Sequence, residues 1–252
     1  MVLQRPHEVE LARRWTGRRP GIDVPAVYVE HNTPDQSPTG TLHPLADRAD
    51  VPIAHVTHFN RLMWDNGRAP STVVEHGIPD PGPLWTGELP RAAVVVNDPL
   101  PRGRVVGTDL LPGFARTVPL DVFGMRTAAL ADRDRVTAAD LPQAELHPAM
   151  ARRRLYLHPV RWTSLGLSLL EAMLLGMPVV ALETTAVREA VPSGAGVVSN
   201  RPEALRSGIR VLLADRERAR ELGQRARTAA LARYRLSRFL SDWERLIKEV
   251  TR

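Results

Sequence analysis

Short apolar runs alternate with amphipathic stretches along most of the chain. Short, mostly apolar runs at Val24–Val29 (VPAVYV, rich in β-branched residues), Val51–Val56, Thr72–Val74, Ala93–Val96, Leu120–Phe123, Leu155–Leu157, Val179–Leu182 and Gly196–Val198 have the length of buried strands. Apolar residues recurring at helical spacing predict helices near Pro6–Arg14, Asp109–Arg116, 165–175, 202–213 and 215–233, and a last one over about 236–249 (LSRFLSDWERLIKE). Met1–Gln4 reads as the end of a strand, and 32–44 (NTPDQSPTGTLHP), crowded with turn formers, as a long loop. This alternation predicts an α/β fold with parallel sheets. A Pro- and Gly-rich stretch, Gly77–Pro90, interrupts the series. It divides the chain into a first domain over 1–88, with few elements, and a fuller second one over 89–235. A ligand site is expected at the carboxyl ends of the strands, between the two.

Composition narrows the chemistry. With no Cys in 252 residues there is no disulfide, no thiolate metal site and no cysteine nucleophile. The net charge of +6 raises the question of nucleic acid. However, Lys248 is the only lysine, the arginine runs at 13–14, 18–19 and 152–154 are scattered, and the 5% of aromatic residues do not interleave with them. No nucleic-acid partner is expected. No run reaches the ~18 apolar residues of a membrane span, and the first residues lack the layout of a signal peptide. A cytoplasmic location is expected, with peripheral membrane contact left open. The histidines show no metal-ligand spacing, so neither a metal nor another cofactor is expected.

The candidate chemistry lies in 158–182. Strand Leu155–Leu157 runs through His158-Pro159 and a polar loop into an apolar helix that ends at Gly176-Met177-Pro178. Ser164, Ser168 and Glu171 share one stripe of that helix. Ser164 is the candidate N-cap. A helix N-terminus offers unpaired N–H groups to a phosphate, and Glu171, two turns on, is an acid in a segment otherwise built for burial. Its partner is either another residue, such as a neighbouring arginine, or a ligand.

These residues carry a resemblance. Residues 158–191, HPVRWTSLGLSLLEAMLLGMPVVALETTAVREAV, resemble the signature of retaining glycosyltransferases of family 4, which have the GT-B fold. The resemblance implies two Rossmann-like domains facing a cleft, the first one truncated here. It also implies a nucleotide-diphosphate sugar as donor, an acceptor hydroxyl, and no metal. Thr163, Ser164, Leu165 and Gly166 then correspond to the loop and helix start that hold the diphosphate, and Glu171 to the glutamate that takes the ribose. A departure goes with it: Thr163 stands where the family has its first glutamate, and brings no negative charge to the sugar.

Upstream, VVVNDPLPRGRVVGTDLL (94–111) is similar to the family's phosphate-binding strand, loop and helix. Asp98 and Val106 occupy its usual basic positions, so Arg102 and Arg104 in the same loop are the substitutes. In VYVEHNTP (27–34), His31 corresponds to the histidine that reaches the donor sugar. In TVVEHGIP (72–79), His76 lines the cleft and Gly77 is a backbone requirement at the junction. The resemblance also implies that the helix of 236–252 packs back toward the first domain. The family's opening strand, glycine-rich loop and first helix have no counterpart, which suggests a chain starting inside a longer domain, with an unpaired sheet edge open to self-association. Beside glycosyl transfer stand two alternatives: a catalytically silent relative that binds a nucleotide or a partner protein, and a GT-B nucleotide-sugar epimerase.

Overall fold

The computed structural model describes residues 1–34, 40–132 and 134–251. Residues 35–39, the middle of the loop expected over 32–44, lie outside them. The chain divides into two units, Met1–Gly77 together with Leu236–Arg252, and Ile78–Arg235.

The first unit is a parallel sheet. β1 (Val2–Leu3) leads through α1 (Glu8–Thr16) to β2 (Val27–Glu30) and β3 (Ile53–His55), then through α2 (His58–Met63) to β4 (Ser71–Val73), and the strands lie side by side in that order. Alternation along the strands sorts the core into two faces. Leu3, Tyr28 and Ile53 pack with Leu45 and Val51 in one cluster, and Val27, Ala54 and Val74 with Leu246 in the other. Leu246 belongs to the C-terminal helix, Leu236–Val250, which adds Phe239, Trp243 and Val250 to the second cluster. Gly77 is required by this packing, because a Cβ there would stand 2.3 Å from the Cβ of Phe239. The short helix α2 has no counterpart among the expected elements; Thr57 caps it, its Oγ1 accepting from the Asn60 amide at 3.0 Å.

The second unit begins with β5 (Leu89–Val95) and α3 (Pro99–Val106), followed by a 3₁₀ turn at Thr108–Leu110 and α4 (Leu111–Ala115). Next come β6 (Leu120–Phe123), β7 (Val136–Ala139), α5 (Gln143–Ala151), β8 (Arg153–His158), α6 (Leu167–Leu174) and β9 (Val179–Leu182). The chain then continues through α7 (Val187–Ala190), β10 (Val197–Ser199), α8 (Pro202–Ala214) and α9 (Arg216–Arg233). The strands form one parallel sheet in the order β10-β9-β8-β5-β6-β7. The central strands carry fully buried residues such as Ala92, Val94, Leu155 and Leu157, as expected where helices cover both faces. Asp121 on β6, 2% exposed, joins four strands. It accepts from Arg91 Nε, Arg153 Nε and Thr137 Oγ1, each at 2.6 Å. Burial pushes its carboxyl up, but these hydrogen bonds outweigh it and leave the pKa below the usual range.

Helix α9 carries a stripe of small buried residues, Ala219, Gly223, Ala226 and Ala230. At Gly223 the backbone of the α6 C-terminus comes so near that an added Cβ would lie 2.0 Å from the Gly176 carbonyl oxygen. The N-cap of α9 is Asp215, whose Oδ1 accepts from the Arg218 amide at 2.9 Å. Asp215→Ala is expected to lower stability by about 1 kcal/mol, read as a lower denaturant midpoint at unchanged slope.

Besides α2, the short helix α7 has no counterpart among the expected elements, and the series departs from expectation around α3 and over 136–151. Arg102 and Arg104 lie in a helix, α3, not in a loop, although Gly103 between them leaves helical geometry at φ 36°. Strand β7 and helix α5 occupy a stretch, 136–151, for which the pattern predicts no element.

Candidate active site

In the second unit the chain order runs from β5 outward through β6 to β7, then returns to β8 on the other side of β5. This reversal is a topological switch point, and in open α/β sheets ligands bind beyond the carboxyl ends of the strands there. A pocket of about 810 Å³ lies at that end of the sheet. Val95, Val96 and Asn97 after β5, Gly124 and Met125 after β6, and Asp140 and Leu141 after β7 contribute to its wall. So do His158, Val160 and Thr163 at and after β8, Gln143 and Leu146 of α5, and Gly166, Leu167, Ser168 and Glu171 around the start of α6. Arg102 and Val106 reach it from α3.

Sequence and close packing fix the loop between β8 and α6. Gly107, at φ 78°, lies so near Pro159 that a Cβ would stand 2.0 Å from the Pro159 carbonyl oxygen. The Val105 carbonyl accepts from the amides of Arg161 and Trp162 at 2.9 and 3.2 Å. Helix α3 and the loop are therefore joined through backbone contacts, and Arg102 of α3 shares the pocket wall with the start of α6. The helix α6 begins two residues later than expected. Its N-cap is Gly166, with no side-chain cap, whereas Ser164 and Leu165 are buried, at 4% exposure each, and are not part of the pocket wall. Glycine is required at the cap because a Cβ there would lie 2.6 Å from Cε1 of His158.

Glu171 has its side chain 15% exposed. Its Oε1 accepts from Gln143 Nε2 at 3.2 Å and stands 3.6 Å from His147 Nε2, both on α5, while Oε2 has no hydrogen-bond partner among the described residues. Among the described residues no arginine pairs with this acid, and one carboxylate oxygen is left for another donor. Arg102, reaching the pocket from α3, is exposed; its amide donates to the Asp98 carbonyl at 3.1 Å, and its guanidinium makes no hydrogen bond or ion pair with a described residue. Arg104 does not reach the pocket. It pairs with Asp109 at 3.1 Å, and Asp109 is also held at 2.9 Å by Arg161 Nη2. Arg161 first, then the two guanidinium charges together, holds the Asp109 carboxyl below its ordinary range. Asp98, at a position the resemblance expects to be basic, is engaged by Arg126.

At the floor, Tyr156 and His158 stack with ring centroids 6.0 Å apart. The Tyr156 hydroxyl lies 2.8 Å from Ser168 Oγ and 3.3 Å from His158 Nδ1. Burial drives the His158 imidazole down to about 4, so it is neutral near pH 7.

The structure thus brings Arg102, Thr163, Gly166 and Glu171 to one pocket, and leaves Ser164, Leu165 and Arg104 beside it. His31 and His76 belong to the first unit, after β2 and β4. Burial lowers both imidazoles, His76 to about 4, and the Nε2 atom of each has no partner among the described residues. Arg238 Nη2 donates to the carbonyls of Glu75 and His76 at 3.0 and 2.6 Å. Gln143, His147 and His158 were not among the expected site residues. The first two lie on the unexpected helix α5, and a lone histidine ending a strand carries no pattern. Among the described residues no group of three or more His, Cys, Asp or Glu is placed to hold a metal ion, and no helix is long and apolar enough to cross a membrane.

Residues 137–229 match the family model described as "Glycosyl transferases group 1". The comparison with curated proteins finds no match. Solved structures similar to the chain include TarM, at a TM-score of 0.76 and 16% identity over 98% of this chain. They also include sucrose-phosphate synthase from Thermosynechococcus elongatus, at 0.76 and 16% over 99%, and Anabaena HepE in complex with UDP, at 0.73 and 16% over 98%. The chain spans 54% of the length of TarM, 73% of the synthase and 78% of HepE. These likenesses show the fold: parallel α/β of the GT-B glycosyltransferase type.

Proposed function

We propose that this chain binds a nucleoside-diphosphate sugar in the pocket of its second unit and transfers the sugar to an acceptor hydroxyl with retention of anomeric configuration. The observation that carries the reading is the meeting of an unpaired Arg102, the N-terminus of α6 and the half-free carboxylate of Glu171 around one pocket at the switch point. A nucleoside diphosphate presents a matching set of groups. Its diphosphate suits the helix N-terminus and Arg102, and its ribose diol suits a carboxylate oxygen with no other donor. Support also comes from the family match over 137–229 and from the UDP bound to HepE.

In the proposed reaction the acceptor hydroxyl attacks the anomeric carbon from the face the leaving group departs, and a diphosphate oxygen takes its proton. The protein's part is electrostatic: Arg102 and the α6 amides stabilise the charge growing on the leaving diphosphate. Thr163 lines the pocket where the related motif has an acid, and can offer the sugar a hydroxyl but no charge. That residue favours a second reading, a silent protein that binds the nucleotide without turning it over. His31 and His76 are proposed on the sugar and acceptor side, and no metal is invoked.

The test is a thermal-shift and calorimetric screen against UDP, GDP, ADP and TDP and their common sugars. Ligand at ~100 times its dissociation constant adds about 2.7 kcal/mol, which should raise the midpoint by roughly 5–10 °C. No response to any nucleotide from a folded sample would sink both readings; binding with no transfer or hydrolysis would select the silent one. The two arginines should separate in the same assay. Arg102→Ala is expected to weaken diphosphate binding about 10-fold through the loss of a charge-assisted contact, and Arg104→Ala to change it less than about 2-fold, as for a surface ion pair.

A further inference from the structure

His158 is 1% exposed, forms part of the pocket wall, and its Nε2 has no hydrogen-bond partner among the described residues. Such a group is costly to bury and is normally satisfied. Its other nitrogen is engaged, since Nδ1 lies 3.3 Å from the Tyr156 hydroxyl, which Ser168 Oγ meets at 2.8 Å. Gly166, the N-cap of α6, is pressed against the Cε1–Nε2 edge: the missing Cβ would lie 2.6 Å from Cε1 and 3.3 Å from Nε2. The ring is therefore fixed beneath the start of α6, with its one unpartnered nitrogen beside Gly166 at the cap of that helix.

We infer that His158 is a further donor-binding residue, its Nε2–H donating to an oxygen of the diphosphate seated at the N-terminus of α6. The inference rests on the nucleotide-binding reading above. The network allows two proton arrangements, and the inference assigns one of them: Ser168 donates to the Tyr156 oxygen, Tyr156 donates to His158 Nδ1, and the single proton of the neutral ring sits on Nε2. Burial, which keeps the imidazole neutral down to about pH 4, agrees with a ring that donates without carrying charge. The contact adds to the anion site a neutral, buried side-chain donor beside the guanidinium of Arg102 and the helix amides, and it reads phosphate rather than base or ribose.

The test uses the full chain, with UDP, GDP, ADP and TDP as probes, each beside its parent nucleoside. For the nucleotide that binds best, His158→Phe, which keeps the ring and removes both nitrogens, should weaken the diphosphate roughly 5–30-fold. It should leave the nucleoside within about 2-fold, and His158→Gln, whose amide can donate from nearly the same place, should restore most of the loss. Equal losses for nucleoside and diphosphate, or no loss, would overturn the inference while leaving the nucleotide reading intact. Failure of the unmodified chain to bind any of the four would overturn both. Should the buried substitutions prevent folding, ¹⁵N-histidine spectra of the unmodified chain decide. The Nε2–H resonance of His158 should move on adding the diphosphate and not the nucleoside; a resonance indifferent to both would refute the contact.

Discussion

Glu171→Ala is expected to weaken nucleoside-diphosphate binding by about 100-fold while leaving the fold within about 1 kcal/mol of its stability. The binding loss follows from what the carboxylate does in the proposed complex: a charged acceptor facing a ribose diol makes hydrogen bonds of ~1.5–3 kcal/mol each, and each 1.4 kcal/mol is tenfold in affinity. The small effect on folding follows from its place in α6. The side chain lies on the pocket wall, its partners are Gln143 and a His147 at 3.6 Å, and alanine is the best helix former. Glu171→Gln, which keeps the volume and loses the charge, should fall between, near 10-fold. Parallel loss for nucleoside and diphosphate would place the contact on the ribose. Should the alanine variant bind as tightly as the unmodified chain, Glu171 is only a partner for α5 and the ribose assignment ends.

Lowering the pH from 7.5 to 5 is expected to cost several kcal/mol of stability, well before carboxylates protonate. His55 and His158 are both buried and desolvation lowers each to about 4. An unfolded histidine titrates near ~6.5. Below that pH the unfolded chain binds protons that the native chain refuses, so stability falls as pH falls, until the native imidazoles themselves protonate near 4. At pH 5 the loss is about 2 kcal/mol for each of the two, and the half-buried His76, also lowered to about 4, adds to it in the same direction. The depressed carboxyls of Asp80, Asp109 and Asp121 act with the same sign but at lower pH. Thermal midpoints from pH 7.5 to 4.5 check this; a midpoint flat down to pH 5 would refute it. His55→Gln should flatten the slope, since it removes a group from the first unit whose only hydrogen-bonded nitrogen is Nε2, 2.8 Å from Asn66 Oδ1.

The sequence pattern works best where burial alone decides. Val179–Leu182 is a strand over the bounds its apolar run predicts, because fully buried parallel strands are written as continuous apolar segments, and Leu120–Phe123 keeps its predicted bounds although Asp121 interrupts the apolar run. It does poorly where tertiary contacts override local signals. Helix α5 contains Pro148, which argues against a helix in isolation, and β7 reads VTAA, with little apolar alternation; both are held by their neighbours in the sheet. The same holds within the site. Glu171 is legible because a lone acid in an apolar helix stands out. Gln143, His147 and His158 are not, since their role depends on which chain segments meet. Arg102 and Arg104 look equivalent, yet two positions apart on a kinked helix they point to different surroundings, one to the pocket and one to Asp109.

The first unit is made from two separated pieces of chain, and this bears on how it is synthesised. Its second apolar face, Val27, Ala54 and Val74, is completed by Leu246, Phe239 and Trp243 of the C-terminal helix. The whole of Ile78–Arg235 intervenes. On the ribosome, roughly 160 residues at ~5–20 per second separate the two, about 10–30 s during which the nascent chain carries an uncovered hydrophobic sheet. The second unit, continuous in sequence, can finish first. The usual N-terminal-first order of folding is inverted, and the interval is when a chaperone would be needed.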